Sequence, residues 1–398
     1  MEFRDPPDLA RFRTDVRDFI ARNLPPEPTP GNADVGAYSH EAMQRTHRFQ
    51  QALAERNWLT LAWPTEHGGL GASYWQQLVM NEEIAYHRAP GAGLNMGVMW
   101  VGPALLLYGT DAQKRRHVQA IADAETWWCT LYSEPGAGSD LAAMQTRAVA
   151  DGDDYVINGQ KIWTSGAHRS DWGWLAARTD PDAPKHKGLT MFMVEMTTPG
   201  VTVRPLVNMA DGRSFNEVFF EDVRVPKANV VGDVNRGWYH MAVALDFERS
   251  GISVFARGRR TMEEIRDFLH DNPAYRQRNP GIRYELADRA VEVAVGTHLA
   301  YRITHMQTQE VIANHEASVS KLFGSELTQR IAGTGLKALG LYGGLGGRAD
   351  PVKATPWAPL GGRLARDYVL SVSATIAAGT SEIQRGIIAT RGLGLPRL

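Results

Sequence analysis

The strongest constraint on the fold is a change of hydrophobic period near residue 126 and its reversal after Pro226. Upstream, Leu9, Phe12, Val16, Phe19 and Ile20 recur at helical spacing while Arg11, Arg13, Arg17 and Asp18 occupy other faces. The Pro25–Gly31 region interrupts this pattern, and further helical stretches are expected near 41–57, 73–88 and 103–124. From residue 126 the chain turns to short runs rich in aromatic and β-branched residues, such as WWCTLY, DYVINGQKIWTS, WGWLAAR and LTMFMVEM. Gly, Pro and Asp separate them, as between strands. Helical patterns return near 236–269, 283–311, 314–340 and 363–378, with a last one after Gly379. The expectation is an α+β chain with a helical domain over 1–125, a central β domain over 126–235 and a C-terminal helical bundle over 236–398. The segment GGLGGRADPVKATPWAPLGG reads as a structured excursion between two bundle helices.

Composition narrows the class. A chain with 43% hydrophobic and 22% charged residues packs as a globular protein rather than remaining disordered. A formal charge of −1 gives no global argument for a nucleic-acid partner. One cysteine, Cys129, excludes an internal disulfide and a clustered-thiol metal site, and it reads as a small core residue. The twelve histidines form no HExxH arrangement, so no metal is expected. The charged start, broken by Pro6–Pro7, lacks a signal peptide's apolar core, and no run approaches a membrane span. A cytoplasmic protein without stable membrane insertion is the expectation. The pairs Arg115–Arg116 and Arg259–Arg260 read as water-facing.

One acidic residue breaks the pattern of a buried face. Trp238, Met241, Leu245, Ile252 and Phe255 form an apolar stripe along the expected helix 236–269, and Glu248 falls on it. Asp246 and Arg249 point roughly 160° and 100° away from it by helical geometry. An unpaired buried carboxylate is costly and its pKa rises. Periodicity alone leaves two readings: a structural Glu paired with an arginine, or a proton acceptor facing an enclosed substrate.

Four further segments carry candidate chemistry. Ser133-Glu134-Pro135-Gly136-Ala137-Gly138-Ser139-Asp140 follows a strand; alone it reads as a tight turn whose small residues let a ligand approach the backbone. Trp163, taken alone, reads as a core aromatic, and Lys161 as a surface or structural charge. Ser381 and Gln384 form a candidate capping box for the last helix, with Thr380 as another local hydroxyl.

Together, YSEPGAGSDLA at 132–142, NGQKIWTSGA at 158–167, ALDFERS at 244–250 and AAGTSEIQRGIIATRGLGLPR at 377–397 closely resemble the acyl-CoA dehydrogenase family, in its order and spacing. The resemblance implies bound FAD, α,β-dehydrogenation of an acyl-CoA thioester to a trans-2-enoyl-CoA, and electron delivery to an electron-transfer flavoprotein or similar acceptor. It places Tyr132, Ser133 and Ser139 beside flavin or thioester, Ser139 also near the CoA pyrophosphate. Trp163 and Ser165 match its flavin-contacting aromatic and hydroxyl, and Thr380 and Glu382 match residues that approach FAD. The counterpart of Arg249 supports the site or substrate binding, Asp246 reads as a network cap or a CoA head-group contact, and both also read as structural charges. Arg366–Asp367 resembles a family pair that serves bundle packing and polar satisfaction.

Two departures refine the expectation. Many members carry the catalytic glutamate immediately before GTS, where this chain has Ala378, and a methyl group accepts no proton. A smaller set, similar to the isovaleryl-CoA and long-chain enzymes, places it before the arginine of a DxxR segment. Asp246-Phe247-Glu248-Arg249 supplies that residue, so Glu248 is the expected base. The usual RxxFG-like turn is not recognisable in RDFLHDNPAYRQRNPGIR at 266–283, where Arg276 and Arg278 read as part of a solvated basic loop. A similar loss occurs in some actinobacterial α2β2 members, some of which act on CoA thioesters of steroid side chains. The expected assembly is therefore a homotetramer or an α2β2 heterotetramer with a related subunit. The alternatives are a catalytically silent structural subunit and an acyl-CoA oxidase-like flavoenzyme.

Overall fold

The computed structural model describes residues 5–24, 40–90, 95–244, 250–345 and 357–396. Helix α1 (Pro7–Asn23) begins on Pro6–Pro7, whose fixed φ suits a first turn. It buries Val16, Phe19 and Ile20, and Phe19 meets Phe49 of α2 (His40–Ala54) edge to face at 5.6 Å. Helix α3 (Tyr74–Tyr86) starts at a Ser73–Gln76 capping box. The single pattern expected over 103–124 divides into α4 (Gly102–Tyr108) and α5 (Asp111–Ala122). Gly109 leaves the helical conformation there, and Thr110 with Gln113 caps a fresh start.

The middle of the chain forms an eight-stranded mixed sheet. Its strands are β1 (Trp128–Leu131), β2 (Arg147–Asp151), β3 (Asp154–Ser165), β4 (Trp172–Arg178), β5 (Leu189–Glu195), β6 (Val201–Leu206), β7 (Phe215–Pro226) and β8 (Val230–Val231). The order is β6-β7-β3-β2-β4-β5-β8, with β1 parallel beside β4. All of β4 is buried. Trp174 and Ala176 face a core shared with the N-terminal helices, whereas Leu175 and Ala177 face a second core with Ile157, Phe192 and Val218. Burial on both faces explains why WGWLAAR reads as a continuous apolar run.

The remaining helices are α6 (Gly237–Ala244), α7 (Ile252–Asp271), α8 (Pro273–Arg278), α9 (Ile282–Thr308), α10 (Asn314–Leu339), α11 (Arg363–Ala374) and α12 (Ser381–Ile387). α7, α9, α10 and α11 pack as a bundle, and α3 leans on α7 and α9. The expected single helix over 236–269 is corrected to two. Gly251 adopts φ 69° at the N-cap of α7, and an α-helix cannot continue through a left-handed residue. Met241, Ile252 and Phe255 of the expected stripe are buried as foreseen, but on separate helices. Asp246, Glu248 and Arg249 lie outside the described residues. The region of Arg276 and Arg278 is an exposed short helix, α8, rather than a loop.

Arg259 and Arg260 are half-exposed and also hold partners. Arg259 lies over the Tyr86 ring at 4.6 Å and reaches Glu82 at 3.4 Å, while Arg260 bonds Glu264 at 2.9 Å. Glu82 and Glu83 both accept from Arg13 at 2.7 Å, and Arg17 adds a 2.8 Å bond to Glu83. Tyr301 of α9 donates to Glu82 at 3.3 Å, so one acidic pair on α3 joins α1 to the bundle. Among the described residues, no helix is long and apolar enough to cross a membrane.

Candidate functional site

The site begins where β1 ends. Glu134 and Ala137 exchange backbone hydrogen bonds of 3.1 and 3.0 Å, closing a tight turn with Pro135-Gly136 at its tip. Ser139 follows, exposed. Ile162 N–H donates to Ser133 C=O at 2.9 Å, which docks the turn against β3. Tyr132 is buried at its base, its ring 5.7 Å from that of Trp100, and burial pushes its phenol pKa up.

β3 carries the next residues. Its pairing with β7 slips between Lys161 and Thr164, a β-bulge, and Trp163 takes φ 61° there. A bulge re-aims one side chain. Instead of the core position that Trp163 takes when read alone, its indole is 59% exposed and meets Phe215 edge-on at 6.1 Å. Asn216 donates to the Thr164 carbonyl at 2.9 Å and fixes the far side of the bulge. Ser165 ends β3, also exposed.

Lys161 is a charge inside the protein, which corrects the surface alternative while leaving the structural one. It is 0% exposed and donates to Glu134 Oε1 at 2.8 Å and to the Tyr132 carbonyl at 3.0 Å. Burial, against the attraction of Glu134, pushes its pKa down to about 8. Burial opposes ionisation of Glu134 as well. The Lys161 charge and donors from Lys161, Thr146 and Gln145 overcome this and hold its carboxyl below the ordinary range. The signal was in the sequence: Lys161 shares the inward parity of Tyr155 and Ile157 along β3.

A second cluster lies between α10, α11 and α12. Ala378 and Gly379 take φ 53° and 86°, reversing the chain before α12. Lys321 donates to the Gly379 carbonyl at 2.6 Å, and Gln384 donates to that of Ala378 at 3.1 Å. The expected Ser381–Gln384 capping box is corrected: Thr380 is the cap, accepting from Ile383 N–H at 3.2 Å, and Ser381 is buried. Thr380 and Glu382 border a cavity of about 660 Å3 with Gln329, Arg330, Tyr368 and Arg385. Among the described residues, no hydrogen bond or ion pair joins Thr380 or Glu382 to Trp163 or Ser165. Arg366 is buried with its Nε and Nη1 lacking a hydrogen-bond partner among the described residues, and its neighbour Asp367 lies 3.5 Å from Arg363. Cys129 is fully buried, and burial pushes its thiol up to about 12.

The β-domain cluster fits a flat aromatic cofactor bearing phosphates. An outward indole offers a ring face, Ser133, Ser139 and Ser165 offer hydroxyls, and a Cβ built at Gly136 or Gly138 meets nothing within 4 Å. No group of three or more His, Cys, Asp or Glu able to hold a metal occurs among the described residues.

A helical layer, a mixed sheet with β4 buried on both faces and a helical bundle define the class, and comparison with known proteins supplies the family. Models of the N-terminal, middle and C-terminal domains of acyl-CoA dehydrogenase match residues 6–125, 129–223 and 235–393. Acyl-CoA dehydrogenase IpdE1 of Mycobacterium tuberculosis is 37% identical over 400 residues, spanning 98% of both chains. Acyl-CoA dehydrogenase FadE26 of the same organism is 34% identical over 402 residues, again spanning 98% of both. Among solved structures, the Tcur3481–Tcur3483 steroid ACAD superposes with a TM-score of 0.89 at 32% identity, covering 100% of both chains. The ChsE4–ChsE5 complex from Mycobacterium tuberculosis gives 0.84 at 30% identity, with the same coverage. This chain belongs to the acyl-CoA dehydrogenase family. Its chemistry is of the general acyl-CoA dehydrogenase or oxidase type on an acyl-CoA-like substrate, and membership implies a flavin.

Proposed function

We propose that this chain is an FAD-dependent acyl-CoA dehydrogenase in which Glu248 removes the α-proton of the thioester. The observation that carries the flavin half of this reading is Trp163, a large apolar ring held outward by a bulge beside a turn rich in hydroxyls and small residues. The base assignment rests on Ala378, which cannot take a proton, and on the DFER segment, which supplies Glu248.

Bound FAD would supply the hydride acceptor. Trp163 would cover a ring face and exclude water, with Tyr132, Ser133, Ser139, Ser165, Thr380 and Glu382 completing the cofactor surroundings. Backbone N–H groups at the 378–379 turn would polarise the thioester carbonyl, acidifying the α-carbon that Glu248 deprotonates. Asp246 and Arg249, beside Glu248, would bind the CoA portion, Ser139 contributing near its pyrophosphate. Electrons would leave to an electron-transfer flavoprotein or similar acceptor. The working assembly is a homotetramer or an α2β2 heterotetramer. Relatives described as a steroid ACAD and as a two-protein complex support bulky, steroid-like acyl groups and the heteromeric form.

A second reading, a catalytically silent subunit that completes a partner's site, draws on Ala378 and on α8 standing where the RxxFG-like turn would be. Anaerobic titration with straight-chain, branched and steroid-like acyl-CoA thioesters separates the two. Bleaching of the visible flavin band by at least one thioester supports catalysis. Stoichiometric flavin that no thioester reduces supports the silent subunit. Rapid reoxidation by oxygen alone would point to an oxidase.

A further inference from the structure

The buried Lys161–Glu134 pair reaches three pieces of chain. Lys161 is the last residue of β3 in register before the bulge that turns Trp163 outward. Glu134 opens the tight turn, and its carboxylate also accepts the backbone N–H groups of Gln145 and Thr146, at 2.5 and 2.8 Å. The Lys161 ammonium additionally donates to the Tyr132 carbonyl. The carboxylate and ammonium thus lock the 132–137 turn, the 145–146 segment and the bulged strand together. Apolar replacement would strand the Gln145 and Thr146 N–H groups and the Tyr132 carbonyl, so the pair supports the fold as well as the bulge, and FAD affinity and melting are read together to separate the two.

We infer that Lys161 and Glu134 are positioning residues for the flavin face: they set the register of the bulge, so that Trp163 is held ready before the cofactor arrives. This rests on the reading of Trp163 as a flavin contact. Preorganised sites bind more tightly because less ordering remains to be done on binding. Without the pair, the bulge can relax and the indole can swing, and a weaker flavin complex follows while the pairing of β3 with β2 and β7 keeps the sheet together.

A double-mutant cycle tests this. FAD dissociation constants are measured on the apoprotein, with any copurifying subunit, for wild type, E134L/K161M, W163A and the triple variant, alongside thermal melts of each. W163A weakens FAD binding; E134L/K161M weakens it about tenfold while the apoprotein still folds, with a lowered melt, and adds less than twofold on top of W163A, as coupled residues do. Additive effects, or unchanged affinity in E134L/K161M, overturn the positioning role and leave the flavin reading of Trp163 standing. Unchanged affinity in W163A defeats that flavin reading itself, and the inference with it. E134Q covers the case in which E134L/K161M does not fold: its carboxamide keeps an acceptor for Lys161 but loses one backbone N–H partner, so an intermediate loss of FAD affinity is expected. Failure of both to fold assigns the pair to folding and overturns the proposal.

Discussion

His117 sits between two indoles, with ring centroids 5.4 Å from Trp128 and 4.7 Å from Trp172. It is 3% exposed, and burial, helped by the Arg116 charge, lowers its pKa from 6.5 to about 4. The unfolded chain therefore takes up a proton below pH 6.5 that the folded protein refuses, and stability falls as the pH drops from there toward 4. Between pH 7 and 5 this residue costs about 2 kcal/mol. Urea titrations at both pH values check it: H117Q loses correspondingly less stability over that interval than wild type, and equal losses would refute the assignment. Ala378 offers a second residue-scale test. Its left-handed φ of 53° is unfavourable for any residue with a Cβ and worst for a β-branched one. A378G is expected to melt no lower than wild type, and A378V to lose roughly 1–3 kcal/mol.

At the scale of elements, Glu83 of α3 holds α1 in place. It is fully buried and accepts from Arg13 and Arg17. Burial opposes its ionisation, but hydrogen bonds from His87, Arg17 and Arg13 hold its pKa well below the ordinary range. E83A removes a buried acceptor from Arg13 and Arg17, but Arg13 keeps Glu82 and Asp5 and Arg17 reaches water, so a loss of about 1–2 kcal/mol is expected, read from chemical denaturation. An effect below about 0.5 kcal/mol would place the cluster among ordinary surface pairs. The long elements were legible because their periodic signal is long: patterns at 283–311 and 314–340 became α9 (Ile282–Thr308) and α10 (Asn314–Leu339). The break at Gly251 was not, since the apolar stripe runs on through Ile252 and Phe255 and hides one left-handed residue. At the site, the family resemblance put forward Ser133, Ser139, Trp163 and Ser165 as candidate cofactor contacts. It did not foresee that a bulge turns Trp163 outward, because register depends on the partner strand β7. Nor did it foresee the Lys161–Glu134 pair, whose partners are 27 residues apart and meet only in the folded sheet.

At the scale of the whole molecule, Tyr368, Val372 and Ile376 lie exposed on successive turns along α11 and just beyond it, with Ile383 exposed nearby on α12. An apolar row of this kind is what the proposed assembly would cover. V372E/I376E is expected to lower the particle mass measured by light scattering, whereas an unchanged mass would place the interface elsewhere. The central claim is that Glu248 is the base. The most direct measurement is single-turnover flavin reduction by a reactive acyl-CoA thioester, mixed anaerobically with wild type and E248Q at equal flavin content. Reduction is expected to slow by about 10^3-fold in E248Q, the scale of a lost general base, with bound FAD unchanged. Reduction of E248Q within a few-fold of wild type would contradict it.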